Sequence, residues 1–432
     1  MDSGLSLRMQ RTLRELDANT TRAGAPPRPT GSLSTTVDLS NAQNEVIRPE
    51  ILEFFKGVVE ERLSEEVFAL ASLNNSDVAL RDALASFFNA HFKPVHAVKP
   101  EHLVLTAGAS DAISSVIHAV CDEGDSVLIP GPYWPGFNTL IRTKPAVHIL
   151  HTKPPTNEHW DNYLLASLLA AYDFSDDPSR IKAVVLCNPH NPLGRCYPRE
   201  TLLELMEFCQ ERGLHLIVDE VYALTELNAR SEGRGKENGA AFVSALSLTE
   251  PLVASGAVKV DASRVHVVWS ASKLFGLSGL RVGCILTQSS PPLLAAVSLL
   301  ATPPSTLSAS LLAPLLAWPL LPTLLALNAS RLTARYALLS SFLAARDIEF
   351  ITPTHGLFVA ARLARGVKSV REEAQWFDAL ERDEGVRVAR GSGFRGTDGE
   401  FGWGRVRFSC GEEELRRAVE GMGRFLEAES VR

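Results

Sequence analysis

The sequence contains no C-x-x-C pair: its six cysteines, at positions 121, 187, 196, 209, 284 and 410, are scattered through 432 residues. Such spacing argues against a disulfide framework and suits a reduced compartment, so a cytoplasmic location is expected. Positive charge is in deficit as well, with 43 Lys and Arg against 50 Asp and Glu and a net charge of −7. That balance speaks against nucleic acid as a partner. The N-terminus lacks an apolar signal core. Residues 1–36 are instead rich in Arg, Ser, Thr and Pro, with Asp2, Glu15 and Asp17 among them, and read as a mobile tail. Charge is absent altogether between Arg281 and Arg331, where Ser305 to Leu327 forms a long apolar run. Prolines at 303, 304, 314, 319 and 322 interrupt it and argue against a membrane span. A buried interdomain or dimer-contact pair of helices is the expectation.

What is present describes an ordinary globular chain, 45% hydrophobic and 22% charged, long enough to bury a large core. Helical periodicity covers Pro49 to Arg62. Asp77 is placed to cap a second helix whose apolar face is Val78, Leu80, Leu84, Phe87 and Phe88. Short apolar strands follow at Leu103–Thr106, Asp125–Pro130, Ile181–Leu186, Leu214–Val218 and Val265–Trp269, with helices between several of them. That alternation predicts an α/β fold with a mostly parallel sheet covered by helices on both faces. Residues 230–263 read as an insertion. The expected organisation is a tail at 1–36, a small-domain segment at 37–73 and a large domain at 74–310. Interdomain helices and the rest of the small domain then occupy 311–432, with strands near Glu349–Ile351, Gly356–Ala360 and Gly404–Ser409.

In such sheets ligands bind at the carboxyl ends of the strands, and the distinctive stretches all fall there. Ser270 to Gly283 (SASKLFGLSGLRVG) puts Lys273 directly after a buried-type strand. Burial depresses a lysine's pKa, and a neutral amine attacks carbonyls to form a Schiff base. Ser270, Ser272 and Arg281 offer two hydroxyls and a guanidinium fork suited to a phosphate. An aldehyde that carries a phosphate fits the set, and pyridoxal 5′-phosphate (PLP) is that molecule. Ala107 to Asp111 forms a small-residue turn into a helix, where free N–H groups face an anion. Gly131 to Phe137 holds aromatics at a strand end. Asn188 to Gly194 and Asp219 to Tyr222 end two further strands. Each has a plain alternative: a solvated lysine loop, an ordinary βα connection, loop packing, a simple turn. Their shared position at strand ends is what favours the chemical reading.

Together the residues from about Val37 onward resemble the fold-type I PLP enzymes of the class I/II aminotransferase family, outside the insertion. The stretches Leu105–Ser110, Pro130–Phe137 and Arg405–Phe408, with the opening VDLSNAQNEVIRPE, are most similar to the 1-aminocyclopropane-1-carboxylate (ACC) synthase branch and its fungal subgroup. Many of that subgroup serve specialised metabolism. The resemblance implies a seven-stranded type of sheet, PLP as cofactor, a small amino-acid substrate and a homodimer. It makes Lys273 the Schiff-base lysine and Asp219 the partner of the pyridine nitrogen. Asn191 and Tyr222 become donors to the ring's 3′-oxygen, and Trp134 the stacking aromatic. Gly108, Ala109 and Ser110, with Ser270, Ser272 and Arg281, would hold the phosphate, and Arg405 the substrate α-carboxylate. Arg407 is left unexplained. Two positions depart from the pattern: Asn74 stands where a tyrosine commonly reaches the partner subunit's phosphate, and Gln43 where ACC synthases carry a glutamate facing the substrate. A neutral amide supplies no such charge, so true ACC synthase activity is not expected. Amino-group transfer is expected first and carbon–sulfur β-elimination second. A non-catalytic, effector-binding descendant is a third reading, disfavoured because residues 1–36 are too short for a DNA-binding domain.

Overall fold

The computed structural model describes residues 5–6, 9–10, 13–14, 36–69, 76–156, 160–228, 239–249 and 260–431. Most of the expected tail, Asn74 and much of the 230–263 insertion lie outside the described residues. In chain order the strands are β1 (Val37–Asp38), β2 (Leu103–Thr106), β3 (Ser126–Pro130), β4 (His148–Thr152), β5 (Ile181–Cys187), β6 (His215–Asp219) and β7 (Val265–Ser270). They continue with β8 (Gly283–Thr287), β9 (Phe350–Ile351), β10 (Phe358–Arg362), β11 (Val386–Arg387), β12 (Ala389–Arg390) and β13 (Trp403–Arg407).

Alternate residues of the central strands serve opposite faces of one seven-stranded sheet, ordered β2-β8-β7-β6-β5-β3-β4. Val104, Val127, Val185, Ile217, Val268 and Ile285 pack with the buried side of the helix Ala109–Val120. Leu105, Leu128, Val184, Val218, Val267 and Leu286 belong to the core on the other face. Burying each such side chain is worth about 1.5–3 kcal/mol, and this two-sided demand is why the strands read as unbroken apolar runs. β8 alone runs antiparallel to its neighbours β2 and β7; the other pairings are parallel. The parallel strands therefore deliver Thr106, Cys187, Asp219 and Ser270 to one edge of the sheet.

A second sheet, β12-β13-β10-β9, is antiparallel, and β1 pairs in parallel with β11. The first described strand thus joins the C-terminal part, through Val37 N–H to Gly385 O (2.7 Å) and Leu39 N–H to Arg387 O (2.8 Å).

Two expectations need correction. The second helix begins at Ser76, so Asp77 sits in its first turn and pairs with Arg81 at 3.2 Å instead of capping it. There a carboxylate complements the helix dipole. Val78 is exposed, while Leu80, Leu84, Phe87 and Phe88 are buried as expected. The uncharged run folds as a pair of helices, as expected: Thr306–Leu316 and Leu321–Ala345, bent by 92°. Thr306, Ser308, Ala309, Leu312, Ala313, Leu315 and Leu316 of the first are buried within the chain, as are Leu321 and Leu324 of the second. No single described helix is long and apolar enough to cross a membrane.

Candidate active site

β7 ends at Ser270, and the chain turns at once into the short helix Ala271–Leu274, which carries Lys273 away from the sheet edge. Gly276 follows at φ +68°, and a β-carbon there would stand 2.0 Å from the carbonyl oxygen of Asn44. Only glycine meets both conditions. The segment 42–44 therefore lies directly on the lysine loop, and Lys273 Nζ donates to the Ala42 carbonyl at 3.0 Å. Burial lowers the lysine pKa to about 8; Arg405 and Arg281 push the same way, and Asp219 opposes them. An amine so tuned is partly neutral near physiological pH, as a base or nucleophile requires.

Asp219, at the end of β6, is buried and accepts one long hydrogen bond, from the Val221 N–H at 3.3 Å. Burial raises its pKa to about 7, against the Val221 N–H and Lys273. Its neighbour Glu220 is buried too, but both of its oxygens are occupied, by Ser244 Oγ (2.7 Å) and the Ala245 N–H (2.8 Å). Asp219 is the carboxylate left with room for a cationic donor.

Arg405 and Arg407 lie two apart on β13, so they share a face, while Val406 turns into the core between them. Arg405 is buried; it donates to Asn191 Oδ1 at 2.9 Å and to the Ser40 carbonyl at 2.5 Å, and its Nε has no partner among the described residues. The rings of Phe358 and Phe394 lie 4.7 and 5.1 Å from its guanidinium carbon. Burial raises the phenol pKa of Tyr222, and Arg405 counters it. Arg407 has a different environment. It donates to Glu45 Oε1 and to the Asp38 carbonyl, each at 2.9 Å, and faces Glu414 at 3.6 Å. It is an internal clamp between β13 and the opening segment, which accounts for the arginine the sequence left unexplained.

At the other side of the lysine, Gly108 precedes the helix Ala109–Val120 at φ +82°. The Arg281 guanidinium rests on it: a β-carbon at Gly108 would stand 2.5 Å from an Arg281 nitrogen. Arg281 itself donates to Ala107 O (2.9 Å) and Ser278 O (3.0 Å). The first intrahelical bond, from the Ala112 N–H to Gly108 O, leaves the N–H groups of Ala109 and Ser110 ahead of it. Ser270 and Ser272 are buried at the start of the lysine helix. Trp134 is half-buried at the end of β3, against Gly136 and edge-on to Phe137 at 5.6 Å.

Gln43 does not join these groups. Its side chain is exposed and accepts from Arg48 at 2.8 Å, so the opening segment meets the site through Ala42 O and Ser40 O instead. Backbone carbonyls leave no residue-type signal, and sequence reasoning had no means of finding them. It also missed Glu373, fully buried, which accepts from the N–H groups of Ser392 (2.9 Å) and Gly402 (2.8 Å). That carboxylate anchors both ends of a loop walling a cavity of about 550 Å³, lined in part by Pro132, Lys153, Pro192, Phe394, Trp403 and Arg405. A charged residue on the apolar face of the helix Val370–Glu384 was the signal available.

The arrangement fits PLP in charge. Among the described residues Asp219 lacks a strong donor and Arg405 keeps a buried unpartnered Nε, and glycine at 108 lets the Arg281 guanidinium lie against the helix N-terminus. Residues 55–422 match the family described as aminotransferase class I and II. The chain belongs to that family. This aminotransferase is 34% identical to the probable aminotransferase aclI of Aspergillus oryzae, over 90% of each chain. It is 34% identical to the probable aminotransferase sirI of Leptosphaeria maculans, over 98% of each. The 1-aminocyclopropane-1-carboxylate synthase 6 of Oryza sativa subsp. japonica shares 27% over 77% of this chain and 59% of that protein. A Thermus thermophilus aspartate aminotransferase mutant has the same fold, with a TM-score of 0.71 and 21% identity over 98% of this chain and 99% of that one. The aminotransferase is thus a PLP-dependent enzyme with a large, mostly parallel sheet, near the ACC-synthase-like branch.

Proposed function

We propose that the enzyme transfers the amino group of an α-amino acid, in specialised metabolism, with Lys273 as its catalytic residue. The observation that carries this reading is a buried lysine of lowered pKa placed among a buried carboxylate, an incompletely bonded arginine and a helix N-terminus covered by Arg281. Arg281, Ser270, Ser272 and the amides of Gly108, Ala109 and Ser110 would hold the cofactor phosphate. Trp134 would flank its ring, Asn191 and Tyr222 would face its 3′-oxygen, and Asp219 would keep its nitrogen protonated. PLP, when bound, supplies an electron sink for the bonds at the substrate's Cα.

The chain's own residues do the rest. Arg405 takes the α-carboxylate, exchanging its contacts with neutral oxygens for charged ones, under two aromatic faces that keep water away. Lys273 then removes the Cα proton and carries it to the next acceptor. A cavity of about 550 Å³ beside Arg405 is of the size that accommodates drug-like molecules, so the substrate side chain is expected to be bulky. The same room favours a second reading, β-elimination of a thiol from a cysteine-type conjugate. A product assay separates them: keto acid without thiol means transfer, whereas thiol and ammonia in equal amounts mean elimination. Borohydride reduction of the purified protein, followed by peptide mapping, should leave a pyridoxyl group on Lys273; finding it on another residue refutes the assignment.

If Arg405 binds the carboxylate through its fork, Arg405→Lys keeps the charge and loses that geometry. Amino-acid binding should weaken by roughly 1.5–3 kcal/mol with the cofactor retained. Unchanged affinity in an equilibrium titration would assign the carboxylate elsewhere.

The enzyme is also proposed to be a homodimer. The run Ser305–Leu327 is only partly internal: it exposes Leu307 near its start and Leu320 between its two helices, and its neighbours expose Leu52, Leu63 and Phe68. Exposed apolar residues on packed neighbours suit a symmetric contact. Sedimentation should show a dimer at micromolar concentration, and Phe68→Glu should shift it toward monomer; a stable monomer in the unaltered protein contradicts the proposal.

A further inference from the structure

Asn44 and Asn328 are both fully buried and far apart in the chain, and they meet beside the lysine helix. Asn44 Nδ2 donates to Asn328 Oδ1 and to the Leu274 carbonyl, each at 2.9 Å, while its Oδ1 accepts from the Val46 N–H at 3.3 Å. Every polar atom of that amide is used. Asn328 sits on the helix Leu321–Ala345, with Leu324 and Leu332 buried one turn either side of it. A leucine is the ordinary choice at such a position, because a polar group there costs free energy unless it is bonded. Asn328 Nδ2 has no partner among the described residues, so the pair is not optimised for stability.

We infer that Asn44 and Asn328 form a buried clamp that sets the position of Lys273, which makes both of them positioning residues for the reaction. Asn44 fixes the carbonyl of Leu274, the residue after the lysine. Two residues before Asn44, the Ala42 carbonyl holds the lysine's terminal nitrogen. The backbone of Asn44 abuts Gly276 at the far side of the same loop. Both ends of Lys273 are thereby referenced to the segment 42–44, and Asn328 ties the Asn44 side chain of that segment to the long helix. Arg405, Asp219, Arg281 and Cys187 are the charged and titratable groups around the amine, and its distance from each depends on the clamp. A displacement of about 1 Å in such a group costs up to a hundredfold in rate.

The inference rests on Lys273 being the catalytic lysine, and the experiment tests the two separately. Asn44→Asp removes the amide donor, Asn328→Leu removes the acceptor and fills the space, and Asn328→Asp keeps the acceptor. The cofactor-loaded full chain is assayed for kcat, for KM, for the pH midpoint of its visible absorbance and for borohydride labelling of Lys273. In Asn44→Asp and Asn328→Leu, kcat should fall by about tenfold to a hundredfold with KM nearly constant, and the absorbance midpoint should move by roughly half a unit or more. Labelling should stay on Lys273, and Asn328→Asp should recover most of kcat. A folded variant of either kind with unchanged kcat and midpoint overturns the clamp. If Asn44→Asp does not fold, Asn328→Leu, which suits its apolar surroundings, decides alone. Absence of label on Lys273 in the unaltered protein overturns the catalytic assignment itself.

Discussion

Lys273→Met should lose turnover by roughly 10²–10⁴-fold, the range supplied by a positioned proton-transfer group, and should keep its fold. The same change should raise thermal stability, and the sign follows from the pKa. The amine sits near about 8 in the folded protein, below its ordinary 10.5, because burial penalises the charged form. Between those values the unfolded chain binds the proton more tightly, so stability rises with pH through the window. Below about pH 8 the lysine opposes folding in full; above about 10.5 it no longer does. The gain in melting temperature of Lys273→Met over the parent should therefore be largest below pH 8 and shrink as pH rises toward 10.5. A gain that stays flat with pH would mean that the lysine is not desolvated. Loss of activity without any gain in stability would mean that its contacts, chiefly with Ala42, matter more than its burial.

Arg407→Met should act in the opposite way, on the fold and not on the chemistry. The guanidinium is 2% exposed and holds Glu45, Glu414 and the Asp38 carbonyl. Glu45 and Glu414 are partly exposed and Glu45 keeps Arg48 at 3.3 Å, so removing the buried guanidinium should cost about 1–3 kcal/mol. Urea unfolding should show that loss, and the double change Arg407→Met with Glu45→Met should cost less than the sum of its parts. A single-variant loss under about 1 kcal/mol would place Arg407 among weak surface contacts and remove its role as a clamp.

The contrast between these two cations shows what the sequence could reveal. The strand ends were legible because burial on both faces demands unbroken apolar runs, and Asp219 and Lys273 interrupt the pattern where each run stops. Arg405 and Arg407 were indistinguishable in sequence. Both lie on one face of β13, and only the approach of Ser40 to one and Glu45 to the other separates an arginine bonded to neutral oxygens from one held by carboxylates. β4 was missed because its sequence, HILHT, carries two histidines and lies at the sheet edge, where one side has no strand to bury it. Gln43 was placed near the substrate by the resemblance, yet the segment it belongs to contributes carbonyls there and turns that side chain toward Arg48.

The opening segment has a consequence for how the protein is made. Arg405 bonds Ser40 across 365 residues of chain, and Lys273 bonds Ala42 across 231. Synthesis proceeds from the N-terminus at roughly 5–20 residues per second, so β1 waits tens of seconds before its partner β11 leaves the ribosome. The lysine, the carboxylate and the phosphate cradle can all be in place while the arginine clamp is still unmade. A nascent chain at that stage holds the lysine without the means to anchor a substrate's carboxylate beside it, and translation of β13 is what arms the enzyme.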